Sequence, residues 1–118
     1  MAIRNKSETA LARQIMDYCD DHDIIFVRHH PVHLVSAGGV VRFAKVRESQ
    51  KGAPDLFIHV DPSEGALAVE TKSEDGTLRP SQKTWRDRWV AKGGRYIVPR
   101  TLEEFVDGLC VNMEGMEV

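Results

Sequence analysis

Cysteine is scarce in this sequence, and so are the patterns that would give it a structural role. With only Cys19 and Cys110 in 118 residues, no disulfide framework is possible, and no CxxC pair offers a structural zinc site. Both read as buried thiols. Long apolar runs are missing too: nothing approaches the ~20 residues of a spanning helix, and Met1 to Lys6 is charged where a secretory leader would turn apolar. The chain therefore reads as cytosolic, without membrane association. Internal repeats, low-complexity tracts and long linkers are absent, so one core of a size usual for a single domain is expected over residues 1–118, packed from about 6 to 111. With 42% hydrophobic and 29% charged residues, the composition is that of a folding chain.

A net charge of −2 excludes a generally polycationic protein but hides an asymmetry. From Lys72 to Arg100 there are eight bases against three acids, whereas after Arg100 there are only acids, from Glu103 to Glu117. Such a split either gives one face a field that attracts polyanions or marks solvated helix faces.

Periodicity predicts a helix from Lys6 to Asp21, capped by Asn5 with Glu8, in which Leu11, Ile15, Tyr18 and Cys19 share the buried face. A strand follows at Ile24–His29, Val32–Ser36 either extends it or starts another, and Val40–Val46 is a further strand before a polar loop from Arg47 to Ala53. Asp55–Val60 and Ala66–Ser73 form an antiparallel hairpin around Pro62 and Ser63. Pro80 opens a helix that Gly93-Gly94 stops, Arg95–Val98 is a short strand, and Thr101 with Glu104 caps a last helix through Val111, with fraying expected beyond Asn112. The order is that of an α/β domain.

The hairpin concentrates the chemistry. A turn centred near residue 63 sets Asp55 opposite the stretch Glu70 to Lys72, and strand alternation puts Glu70 and Lys72 on one face with Leu67, Val69 and Thr71 on the other. Two carboxylates held so close repel unless a cation lies between them, and hard oxygen donors suit Mg²⁺ or Mn²⁺. Such an ion can polarise a phosphoryl oxygen and acidify a bound water, and Lys72 could serve that water or offset charge in the transition state.

The motifs Gly52-Ala53-Pro54-Asp55, Glu70-Thr71-Lys72, Gly76, Ser81-Gln82, Trp85 and Gly93-Gly94, taken in order with Glu8, resemble the VRR-NUC (virus-type replication-repair nuclease) domain of the PD-(D/E)xK nuclease superfamily. One element departs from the family pattern, since Ser81 stands directly beside Gln82. The resemblance implies a single restriction-endonuclease-like domain, with a mixed central β-sheet flanked by helices, that hydrolyses DNA phosphodiesters with one or two divalent ions. Asp55, Glu70 and the main-chain carbonyl of Thr71 would bind the ion, with Glu8 adding a ligand directly or through water. Lys72 would serve the attacking water, and Gln82 would sit at the site's edge. Gln82 lies three residues before Trp85 and seven before Trp89, which also places it on the inward face of its helix. The resemblance implies a homodimer acting on branched or otherwise structured DNA, and it implies no organic cofactor.

Other residues carry competing readings. Arg79, Lys83 and Arg86 suit phosphate contact or plain solvation. Trp85 and Trp89 read as core in preference to base-stacking. His29, His30 and His33 lack the partners and spacing of a zinc site, His59 shares Asp55's face and reads as a structural or solvent-facing imidazole in preference to a substrate contact, and Gly38-Gly39 is either a hairpin tip touching DNA or a simple turn. The alternative function is a non-catalytic DNA-binding module of the same fold. Clustered carboxylates count against it, because without a cation they repel phosphate.

Overall fold

The computed structural model describes residues 8–29, 34–37, 40–43, 47–61 and 65–114, the side chains of 34–37, 40–43, 60–61 and 110–114 excepted. Helix α1 (Glu8–Asp21) buries Leu11, Ile15 and Cys19, one residue per turn on a single face. It stops at Asp23, whose φ of 56° is left-handed, with Ile24 N–H reaching back to the Cys19 carbonyl at 2.8 Å and Asp23 N–H to that of Asp20 at 3.4 Å. This is a Schellman stop on aspartate, one of the few non-glycine residues that visit this region.

Strands β1 (Ile25–Arg28), β4 (Leu56–Asp61), β5 (Gly65–Val69) and β6 (Arg95–Ile97) form one sheet in the order β1-β4-β5-β6. The first three are antiparallel, while β6 runs parallel to β5 and is reached through helix α2 (Pro80–Ala91). The sheet is therefore mixed and the domain α/β. Strands β2 (Leu34–Ala37) and β3 (Val40–Phe43) pair with each other as a separate hairpin. Helix α3 (Leu102–Glu114) completes the order, and no described helix is long and apolar enough to cross a membrane.

The two faces of the sheet differ. On one, Leu56, Ile58, Leu67 and Val69 pack against Leu11, Ile15 and Cys19 of α1 and Phe105 and Leu109 of α3. This is the apolar core, and burial beside Asp20 lifts the Cys19 thiol to about 11, leaving it inert. On the other face the row Phe57, Ala68, Tyr96 meets α2. Trp85 and Trp89 stack with ring centroids 5.1 Å apart and contact Phe57 at 6.0 and 5.6 Å. Both tryptophans are half-buried packing residues, and Trp89 Nε1 donates to the Arg95 carbonyl at 2.7 Å. The chain leaves α2 on Gly93, φ 91°, at the stop the sequence predicts.

Most strand ends shift by one or two residues from the sequence reading, and three differences are larger or new. β5 ends at Val69 instead of Ser73, and beyond it the main chain turns to the end of β6 and the residues after it, Glu70 N–H bonding to Ile97 at 3.0 Å and Lys72 N–H to Pro99 at 3.3 Å. Helix α3 continues past Val111 to Glu114. The loop from Arg47 contains a 3₁₀ turn at Glu48–Gln50. The Asn5 cap, His30, His33, Gly38-Gly39, the strand beyond Phe43, the Pro62-Ser63 turn and the chain beyond Glu114 lie outside the described residues.

Candidate active site

The paired register of β4 and β5 runs Ile58↔Leu67, Phe57↔Ala68, Leu56↔Val69. One step further along the same register, Asp55 stands opposite Glu70. An irregularity between Ile58 and Asp61 absorbs one residue, which moves the pairing by one from a turn centred on residue 63. The carboxylates thus meet at the end of the central strands, and Asp55 is further fixed by its carbonyl, which accepts from His29 N–H at 2.7 Å.

Each carboxylate is held through one oxygen by a neutral donor. The Thr71 hydroxyl donates to Asp55 Oδ2 at 2.9 Å, and Gln82 Nε2 donates to Glu70 Oε2 at 3.1 Å. Gln82 can do this because it sits in the first turn of α2, where its Oε1 accepts from the Arg79 N–H at 2.8 Å and satisfies a helix-end donor. Alternation assigns Thr71 to the face opposite Glu70. Its hydroxyl reaches Asp55 nonetheless, because the ladder that enforces alternation has ended at Val69.

Lys72 is 3% exposed, with Nζ 4.0 Å from both Glu70 Oε2 and Glu8 Oε2. Glu8, the first residue of α1, is thereby brought to the site through the lysine. Glu70 itself is 2% exposed, and its Oε1 has no hydrogen-bond partner among the described residues. Burial first, then the negative charges of Asp55 and Glu8, raise its carboxyl to about 8 against the opposing pull of Lys72 and Arg79. The metal-free fold therefore favours the uncharged form of Glu70, and a divalent ion would reverse that balance.

The donor set fits such an ion: two hard carboxyl groups side by side, one of them with a bare buried oxygen. No group of three His, Cys, Asp or Glu side chains among the described residues is arranged to hold a metal, and Glu8 meets the site through its ion pair with Lys72. His29 packs edge-on against Phe57, centroids 6.2 Å apart, and His59 is exposed opposite Ile25 on β1.

Tyr96 is a residue that the sequence reading missed. It lies one row inward of Asp55 and Glu70, its buried hydroxyl has no partner among the described residues, and burial together with Glu70 raises its pKa well above the usual phenol range. Only the parallel register of β5 with β6 reveals this placement, and that pairing spans too much sequence for a local pattern to announce it.

Two surfaces flank the site. On α2, Arg79 and Lys83 are exposed one turn apart, and Arg86 follows in an ion pair with Asp87 at 2.9 Å. Beside Lys72, a cleft of about 720 Å³ opens between the start of α1, the Ser73–Gly76 loop and Arg100, whose guanidinium donates to the Gly76 carbonyl at 2.7 Å.

Comparison with known proteins gives one match. The family model of the VRR-NUC domain covers residues 8–101. No curated protein and no solved structure matches the chain.

Proposed function

The chain belongs to the VRR-NUC domain family, a nuclease-type domain of the PD-(D/E)xK superfamily, and from that premise we propose that it is a divalent-metal-dependent DNA endonuclease selective for branched or structured DNA. One observation carries this reading: Asp55 and Glu70 face each other, each tethered by a neutral donor, with a buried lysine 4.0 Å from Glu70. A binding module has no use for such an arrangement, since bare carboxylates repel the phosphates it must hold.

In this reading Asp55 and Glu70 hold Mg²⁺ or Mn²⁺, the Thr71 carbonyl completes the protein's share, and Glu8 joins directly or through water. Once bound, the ion supplies charge neutralisation at the phosphoryl oxygen and a more acidic water. Lys72, wedged between Glu70 and Glu8, lies where its side-chain amine can orient the attacking water or offset the charge that accumulates on phosphorus oxygens. Water oxygen adds to phosphorus, one ester bond breaks, and the products are a phosphate monoester and an alcohol. Gln82 keeps Glu70 in place while Arg79, Lys83 and Arg86 fix the DNA backbone without reading sequence.

A homodimer belongs to the same proposal, since a domain this small cannot span a long duplex. Its support is β1, which pairs only with β4 among the described residues and exposes Ile25 and Val27.

The test is a cleavage assay on linear, flapped, forked and four-way DNAs with Mg²⁺ or Mn²⁺, using Asp55→Asn and Glu70→Ala as controls. Metal-dependent cutting of branched forms that both variants lose is the expected result. Tight DNA binding without cutting under any metal would replace the proposal with the non-catalytic module.

A further inference from the structure

Thr71 has no solvent exposure, yet it gives its hydroxyl proton to a carboxylate. Most buried side-chain hydroxyls are satisfied by main chain or water, so a bond to the side chain of Asp55 is a specific arrangement. It engages one oxygen of that carboxylate, Oδ2. The pattern repeats on Glu70, where Gln82 engages Oε2 and Oε1 is bare.

We infer that the Thr71 side chain is a positioning residue for a divalent ion, its hydroxyl fixing the Asp55 carboxylate so that one oxygen is held and the other is offered. The inference rests on Asp55 and Glu70 being the ligand pair. It is separate from any role of the Thr71 main-chain carbonyl, because replacing the side chain leaves the carbonyl in place. A hydroxyl suits the task, since it orders a ligand without adding a positive charge that would compete with the ion. Outer partners of this sort typically contribute 10- to 100-fold to metal affinity.

Mn²⁺ titration calorimetry on the full chain tests this, comparing wild type with Thr71→Val, which keeps shape and burial but loses the hydroxyl, and Thr71→Ser, which keeps the hydroxyl. Thermal unfolding of the metal-free proteins runs alongside. Thr71→Val should weaken Mn²⁺ roughly 10- to 100-fold at near-native stability, and Thr71→Ser should restore most of the affinity. Should valine not be tolerated, Thr71→Ala supplies the hydroxyl-free comparison. Wild-type affinity in the hydroxyl-free variant overturns the inference, as does an equal loss in Thr71→Ser, which would make Thr71 a packing residue. Wild-type protein that binds no Mn²⁺ overturns the metal-centre reading itself, and the role of Thr71 with it.

Discussion

Gly52 rests against the main-chain carbonyl of Ser81, closer than any side chain would allow, and its φ of 82° lies in the left-handed region. The contact docks the loop that carries Asp55 onto the helix turn that carries Gln82. The two arms that hold the carboxylates are thus joined outside the site as well as within it.

Substituting Gly52→Ala should therefore cost at least about 2 kcal/mol, combining left-handed strain with a clash against backbone that cannot yield. Urea unfolding measures the loss, and calorimetry should show weaker Mn²⁺ binding in the fraction that folds. Gly65→Ala is a useful comparison. It shares the positive φ but has open space around it, so it should lose only the strain component.

Metal-free stability should fall as pH rises from about 4.5 to about 8. Glu70 titrates near 4.5 in the unfolded chain and is raised to about 8 in the fold, so in that window the native state binds more protons and deprotonation favours unfolding. The loss is on the order of a few kcal/mol, complete above about 8. Glu70→Gln should flatten this part of the stability profile. A saturating divalent ion should oppose the loss by favouring the ionised form, and Mn²⁺ affinity should climb with pH up to about 8. A Glu70→Gln profile identical to wild type would mean that another group governs the dependence.

Lys72→Ala should lose cleavage by roughly 10²- to 10⁴-fold while still binding Mn²⁺, because an ammonium is no ligand and its contribution is to the water or the transition state. Single-turnover cleavage and Mn²⁺ calorimetry separate the two effects. Circular dichroism should confirm a folded variant, since Lys72 is buried and its removal leaves Glu8 and Glu70 without their shared counter-charge.

DNA affinity should depend steeply on salt, and the Ala triple variant at Arg79, Lys83 and Arg86 should lower the log-log slope by about 0.9 per phosphate contact removed. Arg86 already pairs with Asp87, so Lys83→Ala alone should change the slope more than Arg86→Ala alone. Glu103→Gln and Glu104→Gln should change little, because glutamine at 104 can still accept from Arg100 N–H as Glu104 does at 2.8 Å. An unchanged slope in the triple variant would move the DNA path to the basic residues between Arg42 and Lys51.

The parts of this architecture that depend on neighbouring residues were legible in the sequence. Hairpin arithmetic brought Asp55 beside Glu70, helical spacing turned Gln82 inward, and Gly93 stopped α2. What stayed hidden depends on pairing across long separations. The parallel match of β5 with β6, which sets Tyr96 beneath the carboxylates, is formed through an intervening helix and has no local pattern. Thr71 was legible as part of Glu-x-Lys but its hydroxyl bond was not, because alternation predicts a side only while the ladder continues.

The side-chain hydrogen bonds and the register that hold the two carboxyl groups fall within the continuous stretch from Gly52 to Gln82. Glu8 and the main-chain partners His29 and Ile97 arrive from more distant parts of the chain. Loop-closure entropy grows with the length of chain enclosed, so a short hairpin is the least costly way to bring two carboxyl groups side by side. The pair that a divalent ion would bridge is therefore set by the segment with the smallest closure cost, while the more distant α1 adds an acid that pairs with Lys72.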